Sequence, residues 1–425
     1  MTTLVEIAKR LESAAAAATI ASRDLLSLDT NPVPADWTHI TKIDPEDEKQ
    51  LPLLYPLYLQ HTSALEVGGS KDVTGNNTQQ TLELVADRPA PAFQEPSGPA
   101  QVTDETRKQA EFLAIPEVLN GDSESLVGQL GRGVEHIEEE IAPTMLAEKL
   151  PIPLGDSIEN RLSRAATTWM LEESIFEAYI IQNPDSAAAR EANVEPEDLL
   201  DPTAAKQRAM AAERYHEAEI IYLEYSGTFG GDEAAEILDA VADGIEWSRV
   251  WYGGGLDDRE NAQAMRDAGA DAVVVGNIFH EIATEEADIC ADAAEALDPS
   301  AGRPAIESWV DDEIDLAETS AADYLSTITS LSNPVSRARE YLVATIEASL
   351  GLASLAEELA DEVSDEASLS SALAEREELP GEIELSKVLP DDEQSFSREL
   401  VTGLLADHFD IEADVPPVSH IRIAV

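Results

Sequence analysis

Basic residues are scarce in this 425-residue chain: 27 Lys and Arg stand against 86 Asp and Glu, a formal net charge of −59. A field of that sign repels nucleic-acid phosphates and anionic membrane surfaces, so nucleic acid is excluded as a partner. Cysteine is nearly missing. Cys290 stands alone, which rules out an intramolecular disulfide, and no His-x₃-His pair offers a zinc site in its place. Long apolar runs are absent as well: none approaches the roughly 20 residues a membrane-spanning helix needs. At most a peripheral membrane contact is expected. Glu6, Lys9, Arg10 and Glu12 interrupt the start before the alanine run 14–18, so no signal peptide is expected and the predicted location is cytoplasmic.

What is present argues for a folded chain. Hydrophobic residues make up 43% of it, far more than a disordered acidic segment carries. The composition fits a halophilic protein of a salt-rich cytosol, where a Debye length of about 3 Å at 1 M salt quiets the self-repulsion. Residues 1–28 read as an alanine-rich amphipathic helix, ending at the turn-forming stretch 29–34, with residues 1–36 as N-terminal helix and linker.

From Trp37 to Leu297 short apolar runs alternate with helical stretches, the pattern of a parallel α/β architecture. Eight candidate strands are predicted, at 39–43, 64–67, 92–94, 112–115, 178–182, 219–223, 249–252 and 272–275. That number with intervening helices favours a closed (β/α)₈ TIM-type barrel over 37–297. Pro52 and Pro56 interrupt the first intervening helix, and residues 126–176 read as a helical insertion with a turn at 151–155. Such an insertion serves as a lid or substrate wall, or as surface decoration. Residues 305–425 read as a mostly helical C-terminal domain of unknown role without a catalytic motif, and the protein is expected to be a homo-oligomer.

Three glycine-bearing segments follow late strands: Tyr222-Leu223-Glu224-Tyr225-Ser226-Gly227, Gly253-Gly254-Gly255 and Gly276-Asn277. At the carboxyl ends of parallel strands, free backbone N–H groups and helix N-termini bind anions, and glycine lets the ligand approach. Together they predict a phosphate cradle. Lys42 and Asp44, two residues apart at the end of the first strand, point to the same side. They are either a structural ion pair or a phosphate ligand beside a Mg²⁺ ligand; one well-placed Asp suffices for that ion. Val67-Gly68-Gly69-Ser70 ends the second strand, with Ser70 able to offer an oxygen. Glu224 is a candidate general base if burial raises its pKa.

Taken in order, the runs 37–45, 67–70, 95–97, 115–120, 178–184, 222–227, 252–255 and 275–277 resemble the geranylgeranylglyceryl phosphate synthase family. The resemblance spans residues 37–282; the N-terminal helix, the insertion and the C-terminal domain depart from the common form. It implies a Mg²⁺-dependent prenyltransferase. The 3-hydroxyl of sn-glycerol 1-phosphate attacks C1 of a long-chain prenyl diphosphate, normally geranylgeranyl diphosphate, and expels diphosphate, forming the first ether bond of archaeal-type lipids. Carried over, Lys42 contacts glycerol phosphate, while Asp44 and Ser70 hold Mg²⁺. Tyr222, Leu223, Glu224, Tyr225, Ser226 and Gly227 form the glycerol phosphate site, and Gly254, Gly255, Gly276 and Asn277 grip the phosphate. Tyr179 and Phe93 are candidates for the surface facing the carbocation-like allyl group. Two other classes remain open: a barrel isomerase or lyase acting on a small phosphorylated sugar or amine, and a catalytically silent lipid- or protein-binding relative.

Overall fold

A computed structural model describes residues 29–69, 71–149, 156–416 and 418–422. The predicted N-terminal helix, the turn at 151–155 and Ser70 lie outside the described residues. Eight parallel strands form one sheet in the order β3-β2-β1-β8-β7-β6-β5-β4. They are β1 His39–Ile43, β2 Ala64–Val67, β3 Ala92–Gln94, β4 Ala114–Val118, β5 Ile175–Ile181, β6 Ile220–Glu224, β7 Arg249–Gly253 and β8 Ala272–Val275. A single parallel bridge, Gln94 to Leu113, joins the outer strands, so the sheet curls into a nearly closed barrel. The fold is therefore the (β/α)₈ barrel that the alternation predicts. Strands β4 and β5 differ from the expected spans 112–115 and 178–182. Pro116 sits inside β4, which pairs along its length only with β5, so its missing N–H falls at the seam where no ladder needs it.

Seventeen α-helices are present among the described residues. Those between strands are α1 Pro56–Leu59, α2 Gly75–Val85, α3 Asp104–Gln109, α4 Gln129–His136, α5 Ala142–Lys149, α6 Asp156–Glu172, α7 Ala187–Ala192, α8 Pro202–Ala211, α9 Gly231–Ala242 and α10 Arg259–Asp267. After β8 come α11 Asn277–Ala296, α12 Arg303–Glu313, α13 Ser320–Thr327, α14 Pro334–Leu359, α15 Glu366–Ala374, α16 Glu382–Ser386 and α17 Phe396–His408. Helices α4 to α6 make the insertion, and Ile137, Ile141, Met145 and Met170 form its own small core with Val102.

The barrel interior is apolar below and polar above. Ile40, Ala64, Phe93, Ala114, Ile175, Ile220, Trp251 and Ala272 pack inside it. Trp37, Phe93 and Phe112 stack with ring centroids 4.8 to 6.0 Å apart. Phe93 thus belongs to this aromatic packing, and it does not line the cleft described below.

The prolines at 52 and 56 leave α1 a single turn, and the C-terminal helices occupy the space a full first barrel helix would fill. Tyr58 meets Tyr324 and Tyr341, while Tyr55 meets Phe396. On β1, Thr41 Oγ1 and Tyr324 OH are 2.7 Å apart, and His39 Nε2 lies 3.0 Å from Thr327 Oγ1. Arg259 of α10 donates to the carbonyls of Thr329 and Leu331, both at 2.6 Å. From Ala321 onward the C-terminal helices therefore share one apolar core with the barrel's helical layer, while Ile306 and Val310 of α12 pack with α11 and α14 in a smaller cluster. No helix among the described residues is long and apolar enough to cross a membrane.

Candidate active site

A cleft of about 900 Å³ opens at the carboxyl ends of the strands. Lys42, Asp44, Tyr222, Glu224, Ser226, Gly227, Gly254, Gly255, Gly276 and Asn277 all line it. The β1 end and the late glycine loops thus open onto the same face of the barrel. Of the expected substrate-binding residues, two are turned elsewhere. Leu223 alternates with its inward neighbours and packs among the surrounding helices, where it is buried. Tyr225 is also buried in that layer, and its hydroxyl donates to Glu233 at 3.1 Å.

Each glycine loop is built by steric necessity. A Cβ on Gly253 would lie 1.9 Å from the Tyr222 hydroxyl, so only glycine lets that ring stand at the cleft floor. Gly255 has φ of +53°, and a Cβ there would meet the Phe229 amide nitrogen at 2.4 Å. The third element is the start of α11, a 20-residue helix whose N-cap, Gly276, supplies no side-chain cap. Its first N–H groups therefore lack an intrahelical acceptor, and the helix dipole adds positive character at that point. Gly276, Asn277 and Ile278 face the cleft there.

Glu224 closes β6 and is 5% exposed. It accepts a short hydrogen bond from Ser226 Oγ and one from the Ser226 amide at 3.2 Å. Burial raises its pKa above the ordinary carboxylate range, against the opposing pull of Ser226 and Lys42. A carboxylate shifted that way is a better proton acceptor for a hydroxyl than a solvated one.

Lys42 reaches the cleft with its ammonium held by two carboxylates. Its ammonium donates to Glu66 at 2.5 Å and Glu95 at 2.6 Å, and Glu95 also accepts from the Tyr179 hydroxyl at 3.1 Å. Tyr179 in turn stacks on Tyr222 with centroids 4.5 Å apart. Burial opposes the lysine's charge, but the combined attraction of Glu66, Glu95 and Asp44 outweighs it and holds the pKa well above the usual value. Below this cluster lies Glu177, fully buried, with neither carboxylate oxygen hydrogen-bonded among the described residues. Burial, then the repulsion of Glu66 and Glu95, pushes the Glu177 pKa far up. Glu66 and Glu95 share the charge of Lys42, whereas Glu177 faces no cation of its own among the described residues and is the buried acid that holds a proton.

At the β1 end, Lys49 bridges the two halves of the cleft. Its ammonium donates to Asn277 Oδ1 at 2.8 Å and lies 3.6 Å from Asp44 Oδ2. Glu46 faces the same space, its pKa raised by burial and by the nearby charge of Asp44. Asp44 Oδ1 sits over Gly69, where a Cβ would approach it to 3.1 Å. These are hard oxygen donors, few in number and open to solvent on one side, which suits Mg²⁺ with its retained waters. Among the described residues no group of three or more His, Cys, Asp or Glu is arranged to hold a metal without substrate.

Two cleft residues, Lys49 and Lys71, fall in no motif of the sequence. Glu95 and Ser97 fall in a quoted run, yet nothing in that run marks Glu95 as the partner of Lys42. Nine acidic residues and three lysines line the cleft. Beside it runs a small apolar crevice of about 60 Å³ at the β3–β4 seam, walled by Val102, Leu113, Ile115 and Pro116 on one side and by Leu130, Ile137 and Leu171 of the insertion on the other. Ser97 borders both spaces.

A model described as the PcrB family matches residues 34–294. Geranylgeranylglyceryl phosphate synthase of Halobacterium salinarum is 32% identical over 249 residues, covering 58% of this chain and 89% of that protein. The protein of the same name from Natronomonas pharaonis is 31% identical over 250 residues, covering 58% and 90%. Among solved structures, (S)-3-O-geranylgeranylglyceryl phosphate synthase of Thermoplasma acidophilum, in complex with substrate sn-glycerol-1-phosphate, is 20% identical with a TM-score of 0.40, covering 57% of this chain and 86% of that one.

Proposed function

Because the chain belongs to the PcrB family, we propose that it is a prenyltransferase that joins the 3-hydroxyl of sn-glycerol 1-phosphate to C1 of geranylgeranyl diphosphate. The observation that carries this reading is the meeting, in one cleft, of a glycine-and-helix anion cradle, a buried strand-end carboxylate, and an open aspartate beside an apolar crevice.

The phosphate of the glycerol substrate sits against Gly254, Gly255 and the N–H groups at Gly276 and Asn277, which supply donors without adding a mobile charge. Tyr222 and Ser226 flank the glycerol. Glu224 accepts the proton of the 3-hydroxyl as the new O–C1 bond forms and the C1–O bond to diphosphate breaks; the bond electrons leave with diphosphate. Tyr179 and Tyr222 present aromatic faces near the allyl group, where positive charge develops. The prenyl chain runs along the β3–β4 seam, and the insertion acts as the wall that keeps it from water.

Asp44 would hold Mg²⁺, with Glu46 beside it. When bound, the ion offsets the charge gathering on the departing diphosphate. An acid-lined cleft makes such a cation necessary, because Lys42 is engaged by Glu66 and Glu95 and cannot neutralise a diphosphate alone. Lys42 orders the cleft floor through Glu66 and Glu95, and its partly exposed ammonium meets the glycerol phosphate beside the backbone cradle and Lys49.

The test is transfer. Labelled glycerol 1-phosphate and geranylgeranyl diphosphate, incubated with the protein, Mg²⁺ and molar salt, are expected to give a lipid-extractable labelled product that EDTA abolishes. Absence of product with prenyl diphosphates of every chain length would overturn the proposal.

A further inference from the structure

The loop that follows β1 is held by the far end of the chain. Asp44 has its peptide occupied on both sides. Its N–H donates to Nε2 of His280, from α11, at 3.1 Å, and the His280 Nδ1–H donates to the Gln50 carbonyl at 3.1 Å. The second contact comes from His420, whose ring also hydrogen-bonds the Asp44 backbone. The Asp44 N–H is already used by His280, and His420 Nε2 has no partner among the described residues. The His420 ring, only 7% exposed, therefore faces the Asp44 carbonyl as a donor. At the other end of the loop, Leu51 N–H donates to the His420 carbonyl at 2.9 Å and Arg422 N–H donates to the Leu51 carbonyl at 3.0 Å. These two bonds make a parallel bridge between Leu51 and Ile421. Val418 and Ile421 anchor the segment in the main apolar core.

We propose that the C-terminal segment 418–422 completes the active site in cis, with His420 as a positioning residue that, together with His280, fixes the Asp44 carboxylate for its cation. This rests on the reading of Asp44 as the Mg²⁺ ligand. Physically, a carboxylate binds a small cation well only if its approach is fixed beforehand, and partners one bond removed from a metal ligand change affinity about 10–100-fold when deleted. His420 reaches Asp44 through the backbone, so it sets where the side chain starts from and contributes no charge to the metal. His280 links the same peptide to α11, the helix that opens the phosphate cradle. Two ends of the cleft are thereby held in register by two imidazoles. The C-terminal helices hence carry a role in the site besides filling the place of the short α1.

The experiment uses the full chain with His420→Ala and His420→Asn, since the asparagine side-chain N–H can reach the same carbonyl. Mn²⁺ binding in the presence of inorganic pyrophosphate is followed by loss of the free-ion electron paramagnetic resonance signal. Hydrogen exchange is followed at the amides of Asp44 and Leu51. His420→Ala is expected to weaken Mn²⁺ binding about tenfold and to speed exchange at both amides. His420→Asn is expected to restore most of each, while glycerol 1-phosphate affinity without metal stays the same. Wild-type Mn²⁺ affinity and wild-type exchange in His420→Ala would overturn the proposal, as would equal losses in both variants that merely follow a lowered melting temperature. If Asp44→Asn binds Mn²⁺ as tightly as wild type, the metal role of Asp44 fails; unchanged exchange in His420→Ala is the separate result that refutes the clamp.

Discussion

Replacing Glu286 by glutamine should make the fold more stable at neutral pH and leave it little changed in mild acid. Glu286 lies on α11 and is 4% exposed, at the junction of the barrel with the C-terminal helices. Its Oε1 accepts a short hydrogen bond from Tyr58 of α1 and a longer one from Thr345 of α14 at 3.4 Å, and its Oε2 has no partner among the described residues. Burial pushes its pKa from 4.5 up to about 8. An acid whose pKa is higher folded than unfolded binds more protons in the folded state. Its contribution is therefore greatest below the unfolded value and is lost as pH rises between about 4.5 and 8. At about 1.4 kcal/mol per pH unit, the burden at pH 7 is about 3 kcal/mol. Glutamine keeps the acceptor for Tyr58 and is neutral at every pH, so it mimics the protonated acid. Urea midpoints of both proteins, measured from pH 5 to pH 8 at one high salt concentration, give the comparison. The other acidic residues contribute equally to both and cancel. The expected outcome is a gap that widens with pH; a constant gap, or one that closes, would refute the reasoning.

Three further outcomes follow from the site. Lys42→Met should cost about 3–5 kcal/mol, because Glu66 and Glu95 lose their only lysine while still buried; adding Glu66→Gln should recover most of that stability in urea unfolding without restoring turnover. Gly255→Ala should destabilise by about 1–3 kcal/mol through its left-handed φ and raise the glycerol 1-phosphate KM by at least about tenfold, measured by steady-state transfer kinetics. Glu224→Gln should lower kcat about 10²–10⁴-fold with little change in KM, the signature of a group used in proton transfer; full turnover in a properly folded variant would remove its role as base.

Much of the barrel was legible because its outward strand faces are apolar and its turns carry glycine. The starts of β4 and β5 were less so. Glu177 breaks the apolar run of β5, and a charged letter in a strand reads as solvent-facing, whereas here burial among other acids keeps it protonated inside the barrel. Glu66 hides in β2 in the same way: its register partner is Lys42, a pairing that exists only once β1 and β2 lie side by side. The glycine loops were readable locally, since each acts through its own backbone. Leu223 and Tyr225 were drawn in by adjacency to Glu224, but strand alternation sends them to the helical layer. Least legible was the C-terminal region. The links from Tyr324, Glu286 and His420 to β1, α1 and the loop between them span hundreds of residues, and no local pattern announces that Pro52 and Pro56 leave a gap for distant helices to fill.

The account stands most directly on where two ligands bind in one crystal grown with sn-glycerol 1-phosphate, inorganic pyrophosphate and Mn²⁺. The expected result is phosphate density against Gly254, Gly255 and Asn277, with an anomalous manganese peak beside Asp44 and the glycerol 3-hydroxyl facing Glu224. Phosphate bound outside that cradle, or a metal remote from Asp44, would contradict it.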